Sequence, residues 1–307
     1  MNIGDHVQRR VLVTGGSGFV GRALVAALLD RGHTVLATTT RLSDHLPRAT
    51  NLHWLEWNAS GAPLPAVEWK RVDTVVHAAL PRTPFAFPEG ANALFEVTVA
   101  ATLRLLEVAR REGQRVVVLS TADVLGSNDR AACEEDLLYE PTTFYGAAKA
   151  CTELLTRSYG AILQTAILRL FHPYGPGGDR FLVNRMAHAV VDGQEVRIER
   201  QDGILLNPVW IDDLVDGVCA AVESDATGIF HLAGPETVSL RQLLDIAAEF
   251  AHRRPVIRVE ARDGIQRHYA TCERSVRLLH YHPQVGVREG VRRLLADKLP
   301  SVRAELA

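Results

Sequence analysis

The sequence predicts an α/β chain: a doubly wound parallel sheet over residues 1–171, then a smaller and less regular α/β lobe over 172–307. Segments near 207–233 are expected to return to the first unit. Two observations lead there. Short apolar runs alternate with longer amphipathic stretches through the first half, and after Phe171 the texture changes to a Gly/Pro-rich loop followed by short elements with long connections. At about 150 residues per domain, 307 residues fit two such units.

The elements follow in order. VLVT (11–14) is an unbroken apolar run, the mark of a strand buried on both faces. Apolar residues at helical spacing run from Phe19 to Arg31, and TVLAT (34–38) and LHWLEW (52–57) are strands. DTVVHAA (73–79) is another buried strand, followed by a helical stretch from about Ala91 to Glu112, the strand RVVVLS (115–120), a helix from about Thr143 to Tyr159 and the strand TAILRLF (165–171). Such alternation requires right-handed helical crossovers that cover both faces of the sheet. Ligands of an open sheet of this kind bind outside the carboxyl ends of the strands, where loops of the second lobe can close over them.

Composition excludes several classes of function. Hydrophobic residues make up 47% and charged residues 23% of the chain, and the net charge is −2, as in an ordinary globular protein. The charges are interspersed, so no basic surface for nucleic acid or an anionic membrane is expected. No run of about 18 apolar residues occurs, and MNIGDHVQRR at the start lacks the apolar core of a signal peptide. Cys133, Cys151, Cys219 and Cys272 lie far apart without CxxC spacing, which suits reduced thiols and a cytoplasmic location. Twelve histidines include His280 and His282 as an isolated HxH but no HExxH, so no metal is expected.

The strand VLVT runs into Gly15, Gly16, Ser17, Gly18, Phe19, Val20 and Gly21, which open the first helix. Glycines there allow a tight turn, a close approach of backbone to a pyrophosphate and close packing of helix on strand, and the free amides of the helix start complete an anion site. A dinucleotide is the expected ligand. An acidic residue at the end of the second strand would hold the 2′-hydroxyl of NAD; this chain has Thr38, Thr39, Thr40 and Arg41 there, donors suited to the 2′-phosphate of NADP. NADP is therefore expected, with NAD as the alternative.

Tyr145 and Lys149 lie four apart on a predicted helix and so share a face. Lysine occurs only at positions 70, 149 and 298, so chance supplies roughly 0.06 matches to YxxxK in the chain. A phenol of ordinary pKa is a poor base at neutral pH, but a nearby ammonium and an oxidised nicotinamide both favour the phenolate; a shift of about three units needs roughly 4 kcal/mol. Ser120 and Thr121 end the strand RVVVLST and bring hydroxyls to the same sheet edge, Thr121 as the candidate to bond a substrate oxygen.

TGGSGFVG, DTVVHAA, STADVLG, YGAAK and LRLFHPYGPGG, in this order over about residues 9 to 290, resemble the extended short-chain dehydrogenase/reductases, the NAD(P)-dependent epimerase/dehydratase group that modifies nucleotide sugars on a Rossmann fold. The resemblance implies Tyr145 as the acid/base, Lys149 on the nicotinamide ribose and Thr121 orienting the reacting oxygen. It further implies that Asn58 meets the adenine, that Ala78, Ala79 and Leu80 line the cofactor with Ser120, and that Leu170, Phe171 and His172 flank the nicotinamide and substrate. A homodimer built on the helices around the tyrosine follows from the same resemblance.

Dehydratases of the family carry an acidic pair, or at least a glutamate, after the threonine, whereas this chain has Ala122 and Asp123. Dehydration is thus disfavoured. ATTTRL, LHWLEWN and His172 are similar to NADPH-dependent 4-keto-6-deoxyhexose reductases, so the expected activity is reduction of a nucleotide-linked 4-keto sugar, with Asp123, His172 and Arg180 among the substrate residues. An NAD-dependent 4-epimerase, a reductase of a small carbonyl or sugar acid, and a non-catalytic dinucleotide sensor are the alternatives; an intact Thr121, Tyr145 and Lys149 set argues against the last. In LLNPVWIDDL (205–214), Leu206 stands where the family has an arginine that grips the sugar nucleotide's phosphates. Arg180, Arg262 and Arg267 are the candidates to replace it.

Overall fold

The structure is a computed structural model and describes residues 8–83, 85–127, 130–134, 139–261, 267–299 and 302–303. Arg262 lies outside the described residues. Seven parallel strands form the main sheet: β1 (Arg10–Thr14), β2 (Thr34–Thr39), β3 (Leu52–Glu56), β4 (Thr74–His77), β5 (Arg115–Thr121), β6 (Thr165–Leu170) and β9 (Gly228–Leu232), in the order β3-β2-β1-β4-β5-β6-β9. This is a Rossmann-like fold, with strand order reversing between β1 and β4. Val11, Leu12, Val13, Val75, Val76, Val116, Val117 and Val118 are wholly buried, because helices cover both faces of the sheet.

Helix α1 (Phe19–Asp30) crosses from β1 to β2, and α2 (Ala91–Phe95) continues through one π turn (Glu96–Ala100) into α3 (Ala101–Glu112) before β5. The expected single helix is therefore one helical run with a wide turn inside it. Gly113 closes α3 in the left-handed region, φ 85°. Helix α4 (Phe144–Tyr159) is capped by Thr143, whose hydroxyl accepts from the Gly146 amide at 3.0 Å.

The remaining elements are α5 (Leu182–Asp192), β7 (Glu195–Glu199), β8 (Leu205–Leu206), α6 (Ile211–Glu223), β10 (Val238–Ser239), α7 (Leu240–Ala251), β11 (Val256–Glu260), β12 (Arg267–His268), α8 (Glu273–Leu279) and α9 (Val287–Leu295). Strand β8 lies between β10 and β12, and β11 pairs with β7. After this excursion the chain comes back through α6, which packs on α1, to β9 at the edge of the main sheet. Ser239 starts α7 with a reciprocal cap, its hydroxyl accepting from the Gln242 amide while Gln242 accepts from the Ser239 amide. Leu206, Trp210, Leu214, Leu243 and Leu294 join the same apolar core as Leu24 and Leu28, so both parts of the chain share one interior. Among the described residues no helix is long and apolar enough to cross a membrane.

Candidate active site

The glycine turn works because two positions exclude a side chain. Gly15 has φ 68°, and a Cβ there would sit 2.6 Å from the Ala79 Cα; at Gly21 a Cβ would collide with the Gly15 carbonyl. Thr38 fixes the turn from the side, its hydroxyl accepting from the Gly15 amide at 3.0 Å. Thr14 fixes the next strand: its hydroxyl accepts from the amides of Ala78 and Ala79, each at 3.2 Å, and donates to His77 Nδ1 at 2.7 Å. His77 donates from Nε2 to the Val97 carbonyl, and burial draws its pKa down to about 3, so the ring stays neutral.

Above this floor lies a cavity of about 1070 Å³ at the carboxyl ends of the strands, larger than the ~300–1,000 Å³ of ordinary small-ligand sites. One end is formed by Gly15, Gly18, Phe19, Val20 and Gly21, by Thr39, Thr40 and Arg41, and by Asn58, Ala78, Ala79 and Leu80. The other holds Ser120, Thr121, Asp123, Tyr145, Lys149 and His172, and Arg180 also lines the cavity. Phe171 is not among the lining residues. It is 1% exposed and packs on His231 at 5.1 Å between ring centres, because the backbone alternates sides at the end of β6: Leu170 and His172 face the cavity and Phe171 turns into the core.

Helix α4 presents Tyr145, Lys149 and Glu153 at successive turns. Gly146 allows its close approach, since a Cβ there would stand 2.6 Å from the Asp123 carbonyl oxygen. Glu153 and Arg169 form a fully buried ion pair, 2.8 Å from Nη2 to Oε2, and Glu153 also accepts from Ser120 at 2.5 Å and from Tyr139 at 2.9 Å. The pair ties α4 to β5 and β6. Lys149 is buried, and burial lowers its pKa to about 8 against the opposing pull of Glu153. The expected pull of Lys149 on the phenol is absent here. Burial raises the Tyr145 pKa above its ordinary value, the Asp123 carboxylate adds to the rise, and a hydrogen bond with Thr121 works the other way. The protein alone thus holds the phenol as a proton donor.

Several lining residues were not singled out from the sequence. Phe85, from the loop after β4, sets its ring edge against Tyr145 at 5.0 Å and 73°. Phe181 covers Phe19 at 5.1 Å, and Arg185 of α5 and His268 of β12 reach the same cavity. No local pattern in the sequence announces them. Arg180 donates to the Arg82 carbonyl across the cavity mouth. Leu206 is wholly buried in the core and does not line the cavity; its ladder partner His268 does. Arg267 is half-buried beside it and is not a lining residue. Among the described residues no group of three His, Cys, Asp or Glu side chains is arranged to hold a metal ion.

The sequence model of the NAD dependent epimerase/dehydratase family matches residues 11–233, which include the glycine turn, Thr121, Tyr145 and Lys149. The chain belongs to this family. Among its relatives is UDP-glucuronic acid decarboxylase 1 of Arabidopsis thaliana, 26% identical over 94% of this chain and 69% of the relative. Among solved structures, UDP-glucose 4-epimerase of Thermus thermophilus in complex with NAD is 26% identical with a TM-score of 0.78 over 94% of this chain and 98% of that one. The dTDP-glucose 4,6-dehydratase DesIV of Streptomyces venezuelae, solved with NAD bound, is 25% identical with a TM-score of 0.81 over 95% and 99% of the two chains. As a member of an extended short-chain dehydrogenase/reductase family, the protein is an enzyme that works with a nicotinamide dinucleotide.

Proposed function

We propose that this family member is an NADPH-dependent reductase of a nucleotide-linked 4-keto sugar. One observation carries the reading. The cavity wall at the end of β2 consists of Thr38, Thr39, Thr40 and Arg41, and the single carboxylate among the described lining residues, Asp123, belongs to the opposite end. A 2′-phosphate meets a guanidinium and hydroxyls on that wall; Glu56, the ladder partner of Thr39, accepts from the Leu42 amide and does not line the cavity.

Gly15, Gly18 and Gly21 leave room for a pyrophosphate, with Phe19 and Val20 at the helix start. Asn58 meets the adenine; Ala78, Ala79, Leu80 and Ser120 line the remainder, and Lys149 holds the nicotinamide ribose. The bound dinucleotide supplies a hydride to the sugar carbonyl. Tyr145, protonated in its buried setting, donates its proton to the carbonyl oxygen, and Thr121 orients that oxygen while it bonds the phenol. A donor phenol suits reduction, in which the neutral dihydronicotinamide brings no positive charge to stabilise a phenolate. Arg180 and Arg185, which line the cavity, take the diphosphate in place of the arginine absent at position 206.

An NAD-dependent 4-epimerase is the second reading, favoured by the NAD bound in the Thermus thermophilus relative. Nucleotide sugars, as substrates, and a homodimer, as assembly, belong to the proposal. The deciding experiment offers UDP-, CDP-, GDP- and dTDP-linked sugars and 4-keto sugars with NADPH and with NAD. Oxidation of NADPH by a 4-keto sugar, lost by about 10²-fold or more in Tyr145→Phe while the cofactor still binds, is expected. Interconversion of 4-epimers with NAD, without net oxidation or reduction, overturns the reductase and establishes the epimerase.

A further inference from the structure

Reduction of a carbonyl asks one side chain for one proton, and Tyr145 answers that need. The same cavity holds a second proton-carrying pair, Asp123 with His268, that this chemistry leaves unused. Thr121 donates to Asp123 Oδ2 at 3.3 Å, and Asp123 Oδ1 lies 3.7 Å from Nδ1 of His268. Asp123 stands just beyond β5 of the main sheet and His268 on β12 of the smaller sheet, so the two approach one another across the cleft.

The orientation of the His268 ring is specific. Its Nδ1 is buried, has no hydrogen-bond partner and faces the carboxylate. Its other nitrogen, Nε2, is not buried, and the residue lines the cavity together with Thr121, Asp123, Tyr145 and His172. His172 holds the ring from one side, stacked at 5.7 Å and 20°. It reaches that place through a left-handed backbone, φ 45°, a conformation that non-glycine residues keep chiefly where surrounding structure enforces it. A carboxylate facing Nδ1, here at 3.7 Å and within reach of a small ring movement, with Nε2 free to meet a ligand, is the arrangement that makes an imidazole a directed acid–base. Burial moves the Asp123 carboxyl up and the His268 imidazole down, while each draws the other back toward its charged form.

We propose that His268, oriented by Asp123, is a second acid–base group of this cavity and moves a proton at the carbon next to the substrate carbonyl while Tyr145 serves the carbonyl oxygen. The proposal rests on the keto-sugar reading above for its substrate. Nε2 takes the proton from that carbon, the electron pair of the broken C–H bond forms a C=C bond, and the carbonyl oxygen takes a proton from Tyr145 to give the enol. Reversal returns a proton to the carbon, either the original or one from solvent. No oxidant or reductant is consumed. Asp123 acts through His268 and is a positioning residue.

Two measurements test this. Nitrogen-15 NMR of the labelled protein, with the His268 signals assigned by their loss in His268→Gln, reads the tautomer without any substrate. A proton on Nδ1 that is perturbed by Asp123→Asn is expected; a proton on Nε2, indifferent to Asp123→Asn, overturns the pairing. The second measurement incubates CDP- and dTDP-linked 4-keto-6-deoxyhexoses with protein and oxidised NADP in D₂O and follows deuterium at the carbons flanking the carbonyl by mass spectrometry. Wash-in at least tenfold slower in His268→Gln and in Asp123→Asn than in wild type is expected. Reduction of these sugars by NADPH with no wash-in in wild type overturns the second acid–base while the reductase stands. Wash-in without reduction supports the acid–base and removes the reductase.

Discussion

Lys149 Nζ donates to the Leu119 carbonyl at 2.8 Å. Its ammonium is thus anchored on β5, one helical turn from Tyr145, and is held there at a pKa of about 8 by burial. A lysine so depressed loses its charge as pH rises through about 8, whereas in the unfolded chain it keeps it to about 10.4. NADPH binding to the free protein, followed by fluorescence titration, is expected to weaken as pH rises through that range. Lys149→Met should bind weakly at every pH. The sign for stability is opposite: the buried ammonium costs stability below about pH 8, and the cost is relieved as pH rises toward the unfolded value. A wild-type stability that falls over this interval relative to Lys149→Met contradicts the assignment.

Arg41 closes the cavity at the end of β2. Arg41→Ala should weaken NADPH by about 1.5–3 kcal/mol, the scale of a hydrogen bond to a charged group, and leave NADH nearly unchanged. Parallel titrations with the two cofactors check it. Equal loss for both would remove Arg41 from 2′-phosphate recognition.

The Glu153–Arg169 pair is wholly buried and joins three elements under the site. Breaking it from one side leaves an uncompensated buried charge, so Arg169→Met should cost about 3–5 kcal/mol by denaturant unfolding. The double variant Glu153→Gln with Arg169→Met should recover part of that loss. Because glutamine keeps an oxygen that accepts from Ser120, turnover should return together with stability in the double variant.

Phe95, Leu103 and Leu154 leave 48%, 41% and 47% of their surface exposed on α2, α3 and α4. If these helices pair in a homodimer, Leu103→Glu with Leu154→Glu should give a monomer by light scattering at micromolar concentration. An unchanged mass would move the interface elsewhere.

The local parts of the site were legible in the sequence, because local spacing fixes them: the glycine turn between strand and helix, and the four-residue step from Tyr145 to Lys149 on one helix face. The sheet was legible for a related reason, as unbroken apolar runs report strands covered on both faces. What escaped depends on contacts between distant segments. His268 sits in a two-residue strand whose neighbour Arg267 carries the more conspicuous charge, and nothing in so short a segment marks which of them lines the cavity. Phe85 meets Tyr145 through a loop without periodicity. Strand alternation sets Phe171 opposite Leu170 and His172, on the core side of the strand end. The direction of the Tyr145 shift depended on burial and on Asp123, neither of which helical spacing reports.

Leu206 has a bearing on how the substrate range of this scaffold could change. Wholly buried on β8 and part of the shared core, it is not a vacant position awaiting its arginine: a guanidinium placed there would enter an apolar interior at a cost of several kcal/mol. An arginine at this one site is therefore closed to single-step change unless the core around it is rebuilt first. Arg180 and Arg185 already border the cavity, so retargeting toward another phosphate-bearing sugar would begin with those two positions.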